Sequence, residues 1–334
     1  MTRGEASAVA CSNIALAKYW GKAETGQNLA AVPSLSLTLD ALRTKTRVRF
    51  DSNLTMDEFW LGGRPVVGGA LERVARLLSE VRSLASFDLH ARIESVNEFP
   101  TAAGLASSAS GFAALAVAAV RASGLDLDAS SLSALARRAS ASAARSIFGG
   151  FSVLEAGAPC ALPLPPTDWP IRMLIAVVSA EPQATGSTGG MLHTQASSPF
   201  YEPWVRHSPR LYAEIRAAVL ARDFEKLGSF AEASALMMHA TMMTAEPALI
   251  YFKPATLETI ERVRRLRAAG TEAYFTIDAG PNVKVLVLEE ARAKVSAALS
   301  AVPGVERVIE SSPGLGAAPL AASESPFDEQ RSFC

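Results

Sequence analysis

Apolar and polar positions along this chain change period repeatedly, so strands and helices are predicted in mixed order. Residues 6–12 read as a short strand, and Pro33-Ser-Leu-Ser-Leu-Thr-Leu-Asp40 alternates with period two, as a half-buried strand does. The alternation puts Ser34, Ser36, Thr38 and Asp40 on one face, which either looks at water or lines a polar pocket. Residues 45–52 and 57–62 predict a strand pair. Leu71, Val74, Leu78 and Val81 recur at helical spacing, and 88–96 predicts a strand leading to a turn of small residues. In the stretch from Asn97 to Val120, Ala109, Phe112, Ala113, Ala116 and Val120 fall on one helical face. Asp128 to Ser130 caps a helix around 131–138, and Gly149-Gly150 lead into a strand at 151–155.

The proline-dense run from Ala158 to Pro170 predicts a linker, giving domains 1–168 and 169–334. A strand at 171–179 opens the second half, and Gly186 to Gly190 reads as a flexible loop. Long helices fill 201–243, with Met237, Met238, Met242 and Met243 as core filler and His239 as a structural residue. A helix over 256–269 and a strand over 272–277 precede Asp278-Ala-Gly-Pro-Asn282. A strand to 288, a helix over 289–300 and a strand over 304–310 follow, and from Ser311 a loose tail is expected.

Composition narrows the function. With 334 residues, 49% hydrophobic and 19% charged, the chain has material for two cores, and 32 basic against 33 acidic residues leave no field for nucleic acid or an acidic membrane. Three widely separated cysteines argue for a reducing compartment and against zinc, and His90, His193, His207 and His239 show no ligand spacing. Residues 1–16 lack the apolar core of a signal peptide, so a cytoplasmic protein is expected.

Several clusters carry candidate chemistry. No charge lies between Glu98 and Arg121, and within that stretch a turn ending at Gly104 presents Ser107 and Ser108 at the start of a helix. Free backbone N–H groups and two hydroxyls there suit phosphate, although a buried helix of small residues explains the pattern as well. Lys18 and Lys22 lie four residues apart beside Tyr19, an anion grip or a solvated turn. Arg145 stands among serines, where a guanidinium fork suits a carboxylate or phosphate, or simply faces water. Asp278 meets a Gly-Pro turn at a strand end, where a catalytic carboxylate can face a cleft, although an Asx turn explains a lone D-A-G-P-N better.

Five of these segments, taken in order, resemble the ATP-dependent mevalonate diphosphate decarboxylases of the GHMP kinase superfamily. They are NIALAKYWGK from Asn13, PSLSLTLD from Pro33, FPTAAGLASSASGFAAL from Phe99, SASAARSIFGG from Ser140 and YFTIDAGPNV from Tyr274. The resemblance implies an α+β fold of two domains with the active site in the cleft between them. The N-terminal domain would be ribosomal-protein-like with a left-handed βαβ unit, the C-terminal one ferredoxin-like, each a sheet with helices on one side. It implies phosphorylation of a substrate 3-hydroxyl by ATP, then loss of phosphate and CO₂ to leave isopentenyl diphosphate. Asp278, Arg145, Lys18 and Asn13 would be catalytic, with Asp278 taking the hydroxyl proton. Tyr19, Lys22, Ser140, Ala141, Ser142 and Arg145 would hold the phosphorylated mevalonate. Asn97, Pro100, Ala103, Gly104, Leu105, Ala106, Ser107 and Ser108 would bind ATP, with Ser108 and Asp40 in the shell of a Mg²⁺. A homodimer is expected as well.

The chain departs from the family pattern at Ala141 and Ala144, where glycine and cysteine are common, and at Gln183 to Thr188, where basic residues are common. The second departure removes a cation expected at the terminal phosphate. It leaves a phosphomevalonate decarboxylase or a mevalonate 3-kinase as alternatives, and a catalytically silent sensor as a reading from another class.

Overall fold

The computed structural model describes residues 4–23, 28–99, 106–181, 183, 185–321 and 327. Two long strands, β1 (Glu5–Ala17) and β2 (Ser34–Asp51), run antiparallel and form the spine of the first sheet. After them come β3 (Glu58–Leu61), β4 (Arg64–Pro65), α1 (Gly69–Ala85), β5 (His90–Asn97), α2 (Ser107–Ser123), α3 (Ala129–Ala139), the single turn α4 (Ala143–Ser146), β6 (Phe151–Leu154) and β7 (Leu162–Pro163). The second half contributes β8 (Ile171–Val177), α5 (Ser187–Ser197), α6 (Tyr201–Ala221), α7 (Phe224–Met243), α8 (Pro254–Ala268), β9 (Tyr274–Ile277), β10 (Val283–Leu288), α9 (Glu289–Ser300), β11 (Arg307–Ser311) and β12 (Ala318–Leu320).

The strands form two sheets. The first has the order β12-β1-β2-β5-β3-β4, with β6 on β2 and β7 on β6; the second has the order β11-β8-β10-β9 and is antiparallel throughout. β3 and β5 are parallel and joined across α1, a βαβ unit inside an otherwise antiparallel sheet. α1, α2 and α3 cover one face of the first sheet through Val74, Leu78, Phe112, Ala116, Val120 and Leu135. Full burial of each larger side chain contributes roughly 1.5–3 kcal/mol. The second sheet is covered on both faces, not one: Leu174 and Ala176 meet α8 and α9, while Met173, Ile175 and Val177 meet α6 and α7. β8 can serve both layers because its whole run Ile171 to Val177 is apolar apart from Arg172.

Three expectations change. Residues 45–52 do not pair with 57–62; they continue β2, which pairs instead with β1 and β5. The break in alternation at Ala41-Leu42-Arg43 is a wide bulge, since Cys11 pairs with Arg43 but Asn13 already pairs with Thr38. Gly186 to Gly190 is not a free loop, because α5 begins at Ser187. The proline-rich segment docks rather than hangs: Ala161 and Leu164 are buried and Trp169 packs between Phe151 and Phe224.

The segment after Ser311 is not loose up to residue 321. It fills the β2 bulge through a Leu39–Pro313 bridge and an Asp40 N–H bond to Ser312 O, then returns as β12 to pair with β1. So a strand from beyond residue 169 belongs to the first sheet. Two glycines permit the approach: a Cβ on Gly314 would sit 2.8 Å from Asp40 N, and one on Gly316 2.5 Å from Ile147 O. Gly316→Ala is therefore expected to lower stability by about 1–3 kcal/mol in urea unfolding, the usual range for overpacking. An unchanged midpoint would mean that the strap moves aside.

Candidate active site

A cleft of about 720 Å³ opens between the sheets, lined by the end of β1, α1, the amino end of α2, the α3–α4 turn, the start of α5 and Asp278. Most of the expected residues meet there: Asn13, Lys18, Tyr19, Lys22, Ala106, Ser107, Ser108, Ser140, Ala141, Ser142, Arg145 and Asp278. Pro100, Ala103, Gly104 and Leu105 lie outside the described residues. Asn97 is not part of the lining; its Oδ1 accepts a bond from Thr44 Oγ1 at 2.7 Å. Asp40 does not face the cleft either. The bulge turns its carboxylate to the strap, where Oδ1 accepts from Ser311 Oγ at 2.8 Å and Ser312 N at 2.9 Å. The Mg²⁺ ligand expected at Asp40 is withdrawn on that ground.

Each charged group is held by a different element. Arg145 sits in α4, buried, and its position follows from the polar face of β2: Nε donates to Ser36 Oγ at 2.9 Å and an Nη to Ser34 Oγ at 2.6 Å. The alternating serines thus face a polar pocket, not water. No carboxylate pairs with Arg145 among the described residues, so a whole positive charge is buried beside the cleft with only neutral partners. Burial lowers its pKa to about 10, against the pull of Tyr19 and Asp278, and the guanidinium stays charged at neutral pH. A buried charge of this kind costs several kcal/mol unless an opposite charge arrives.

Lys18 leaves the end of β1 with its backbone N–H bonded to Ser234 Oγ at 2.9 Å and its Nζ 2.5 Å from Asp278 Oδ1. A second ammonium, Lys284 Nζ on β10, lies 3.2 Å from Asp278 Oδ2. Burial would raise the Asp278 carboxyl, but the two ammonium groups outweigh it and hold it well below the usual carboxylate range. Burial pushes Lys18 down to about 8, helped by the like charges of Lys284 and Arg145 and opposed by Asp278. Asp278 Oδ2 is buried against Lys284, and Asn13 Oδ1 is buried with no hydrogen-bond partner among the described residues. Asn13 Nδ2 is already committed to Ser142 O at 2.9 Å and Ser146 Oγ at 2.8 Å, so its oxygen remains for a ligand hydroxyl.

The amino end of α2 rests on a buried chain of hydroxyls. Ser12 Oγ donates to Ala106 O at 2.7 Å and lies 3.1 Å from Ser110 Oγ, which meets Thr44 Oγ1 at 2.7 Å. Ala106 holds a left-handed conformation with φ of 57°, which turns the chain sharply into the helix. α2 is buried almost all round, as a small-residue helix should be, yet Ser107 and Ser108 at its start line the cleft.

Composition gave little sign of several lining residues. Arg73 and Arg76 project from α1 toward Lys22, and both help to depress the Lys22 ammonium after burial. On α1 they read as ordinary solvent-facing arginines, being off its apolar stripe. Trp20 is a wedge between halves: its Nε1 donates to Thr194 at 2.8 Å and its carbonyl accepts from Trp204 Nε1 at 2.7 Å. Lys284 does not line the cleft; it lies buried in the apolar strand β10, and only the sheet brings it to Asp278. α5 begins at Ser187 after Gly186 without a side-chain cap, and Gly186 to Gly189 line the cleft.

His239 borders the site from α7, its Nε2 3.2 Å from Asp278 O. Burial, then Lys18, pushes it down to about 3. The unfolded chain takes a proton near 6.5 that the folded one refuses, so stability contributed by neutral His239 is lost as pH falls from about 6.5 toward 3, at up to about 1.4 kcal/mol per unit. In urea unfolding between pH 7 and 4, His239→Phe is expected to flatten this slope. Equal slopes in both proteins would show that His239 titrates normally.

The chain is similar to known proteins over most of its length. Residues 10–161 match the model of the diphosphomevalonate decarboxylase-like N-terminal domain, and 173–324 that of the mevalonate 5-diphosphate decarboxylase C-terminal domain. The diphosphomevalonate decarboxylase of Eremothecium gossypii is 38% identical over 331 residues, covering 90% of this chain and 81% of that protein. The crystal structure of mevalonate diphosphate decarboxylase from Staphylococcus aureus superposes with a TM-score of 0.91 at 38% identity, covering 96% of this chain and 99% of that one. A structure of MDDEF in complex with MVAPP, AMPPCP and magnesium gives 0.90 at 40% identity, covering 95% and 99%. With both halves matched and relatives of this identity spanning most of its length, the chain belongs to the diphosphomevalonate decarboxylase family.

Proposed function

We propose that this protein catalyses the ATP-dependent decarboxylation of mevalonate 5-diphosphate to isopentenyl diphosphate, releasing ADP, phosphate and CO₂. The observation that carries the reading is the guanidinium of Arg145, with no carboxylate partner among the described residues, facing the same cleft as the Asp278 carboxylate. One suits a substrate carboxylate, the other a substrate hydroxyl. The substrate hydroxyl gives its proton to Asp278 as its oxygen takes the terminal phosphoryl group of ATP. The new phosphate then leaves with the C–O electron pair, and the C–CO₂ pair closes the double bond. Arg145 holds the carboxylate until it departs, and Asn13 Oδ1 fixes the hydroxyl. Asp278 is a weak base, so its contribution is position and an open lone pair at the moment of transfer.

ATP fits the amino end of α2, where Ser107 and Ser108 and the uncapped first turn offer donors to phosphate. No cluster of three His, Cys, Asp or Glu able to hold a metal occurs among the described residues. Mg²⁺ suits the site all the same, because it keeps most of its shell from phosphate and water, and Ser108 supplies a protein oxygen. When bound it would neutralise phosphate charge during transfer.

The diphosphate end of the substrate falls to Lys22, Tyr19, Ser140 and Ser142, with Arg73 and Arg76 behind them. These two arginines offer the positive charge missing from Gln183 to Thr188, which favours the diphosphate over the monophosphate reading. The proposal extends to a cytoplasmic homodimer, supported by free cysteines at Cys11 and Cys160 and by exposed apolar side chains such as Phe200 and Ile250. No helix among the described residues is long and apolar enough to cross a membrane.

Three experiments test the assignment. With ATP, Mg²⁺ and mevalonate diphosphate, ADP and CO₂ should appear together in equal amounts; ADP without CO₂ would make the protein a 3-kinase. Asp278→Asn keeps the shape but not the charge and should cut kcat by at least about 10²-fold with nucleotide affinity nearly intact. Thr188→Arg, on the cleft wall at the start of α5, should raise the ratio of kcat/KM for diphosphate over monophosphate by up to about 100-fold, equivalent to one charge-assisted bond. A ratio unchanged by that substitution would mean that Thr188 does not face the phosphates.

A further inference from the structure

Lys284 is the charge near Asp278 for which the mechanism so far has no use. Its side chain is wholly buried, at 0% exposure, and it does not line the cleft, whereas Lys18 does. Its Nζ lies 3.2 Å from both Asp278 Oδ2 and the carbonyl of Asn282. The Asn282 side chain in turn accepts from the N–H groups of Val178 at 2.7 Å and Ser179 at 3.0 Å. This ammonium is therefore clamped to the central strands of the second sheet.

A buried ion pair in a strand is often structural, but here Asp278 already has a partner in Lys18. Three cations, Lys18, Lys284 and Arg145, surround one carboxylate that is 24% exposed toward the cleft. A surplus of this sort destabilises an empty site and suits one that receives anions. The two lysines also differ in reach. Phosphate entering the cleft can meet Lys18 but not Lys284. The two carboxylate oxygens differ too: Oδ1 takes the Lys18 hydrogen bond, while Oδ2 is buried in the ion pair with Lys284.

We propose that Lys284 is a positioning residue that anchors the ionised Asp278 carboxylate through Oδ2 while Lys18 swings from Oδ1 to the phosphates of the incoming nucleotide and leaves Oδ1 open to the substrate hydroxyl. The two ammonium groups thus divide two tasks that a single lysine could not perform at once. Left with no cation, a buried carboxylate would take up a proton and lose its ability to accept one from the substrate. The other groups around Asp278 do not replace Lys284. Arg145 on α4 is committed to Ser34 and Ser36, His239 on α7 is held neutral by burial, and Tyr19 is pushed up to about 12 by burial. The inference rests on Asp278 being the proton acceptor.

Lys284→Met, close in shape and uncharged, tests it in the full chain with ATP, Mg²⁺ and mevalonate diphosphate. The expected result is a kcat at least about 10-fold lower, with KM for both substrates within about 3-fold of wild type. The acid limb of the kcat profile should move up by at least about one pH unit, because Asp278 loses the cation that keeps it ionised. In the Asp278→Asn background the same substitution should change kcat by less than about 2-fold, since nothing is left for Lys284 to hold. An unmoved acid limb, or losses that multiply in the double variant, would make Lys284 merely structural and overturn the proposal. Should Lys284→Met lack a cooperative melt, Lys284→Gln takes its place; failure of both to fold also overturns it. Turnover by Asp278→Asn within a few-fold of wild type would overturn the reading of Asp278 itself.

Discussion

Positive charge buried without equal negative charge is the constraint on which this structure turns. Around the cleft, Lys18, Lys284 and Arg145 face one carboxylate, with Lys22, Arg73 and Arg76 further out. A fold spends stability to hold such a set dry, and the rest of the architecture explains how it is held. Arg145 is fixed by serine hydroxyls that cannot neutralise it, so it remains available to an anion. Asp278 is fixed from two sides, Oδ1 by Lys18 and Oδ2 by Lys284.

The scaffold serves that cluster through long-range ties rather than local ones. β1 carries Asn13 in the first sheet and ends in Lys18, whose N–H is bonded to α7 of the second half. Trp20 then locks the same segment between α5 and α6, so the substrate-facing residues 18–22 move with both sheets. Behind Arg145, the strap from Ser311 fills the β2 bulge and presses two glycines on the turn that follows α4. A hydroxyl chain from Ser12 to Thr44 supports the start of α2. Each tie joins residues far apart in sequence, which lets the cleft be preorganised before any ligand binds.

Much of this was legible in the sequence where period and motif agree. Helices α1 and α2 follow from the 3.6-residue recurrence of their apolar faces, and four of the five motifs bring twelve expected residues to one cleft. What the sequence hid was whatever depended on a partner distant along the chain. Asp40 looked like one more residue of a polar strand face, and only the strap pairing at the bulge turns it away. The Ser-Pro-Gly composition after Ser311 reads as a loose tail because its bonding partners lie about 270 residues earlier. Lys284 sits in a Val-Lys-Val-Leu strand whose apolar run says only that the strand is buried. Gly186 to Gly190 carries three glycines and no cap, so its helical start depends on packing, with Gly190 against Trp20.

The central claim is that Arg145 waits for the carboxylate of the substrate. It is tested most directly by equilibrium binding to the wild type and to Arg145→Met, using mevalonate diphosphate and an analogue of the same shape without the carboxylate. The account predicts that the substitution weakens the carboxylate-bearing ligand at least about 10-fold more than the analogue, the scale of one charge-assisted pair. Equal losses for both ligands would place the guanidinium on some other group and contradict the account.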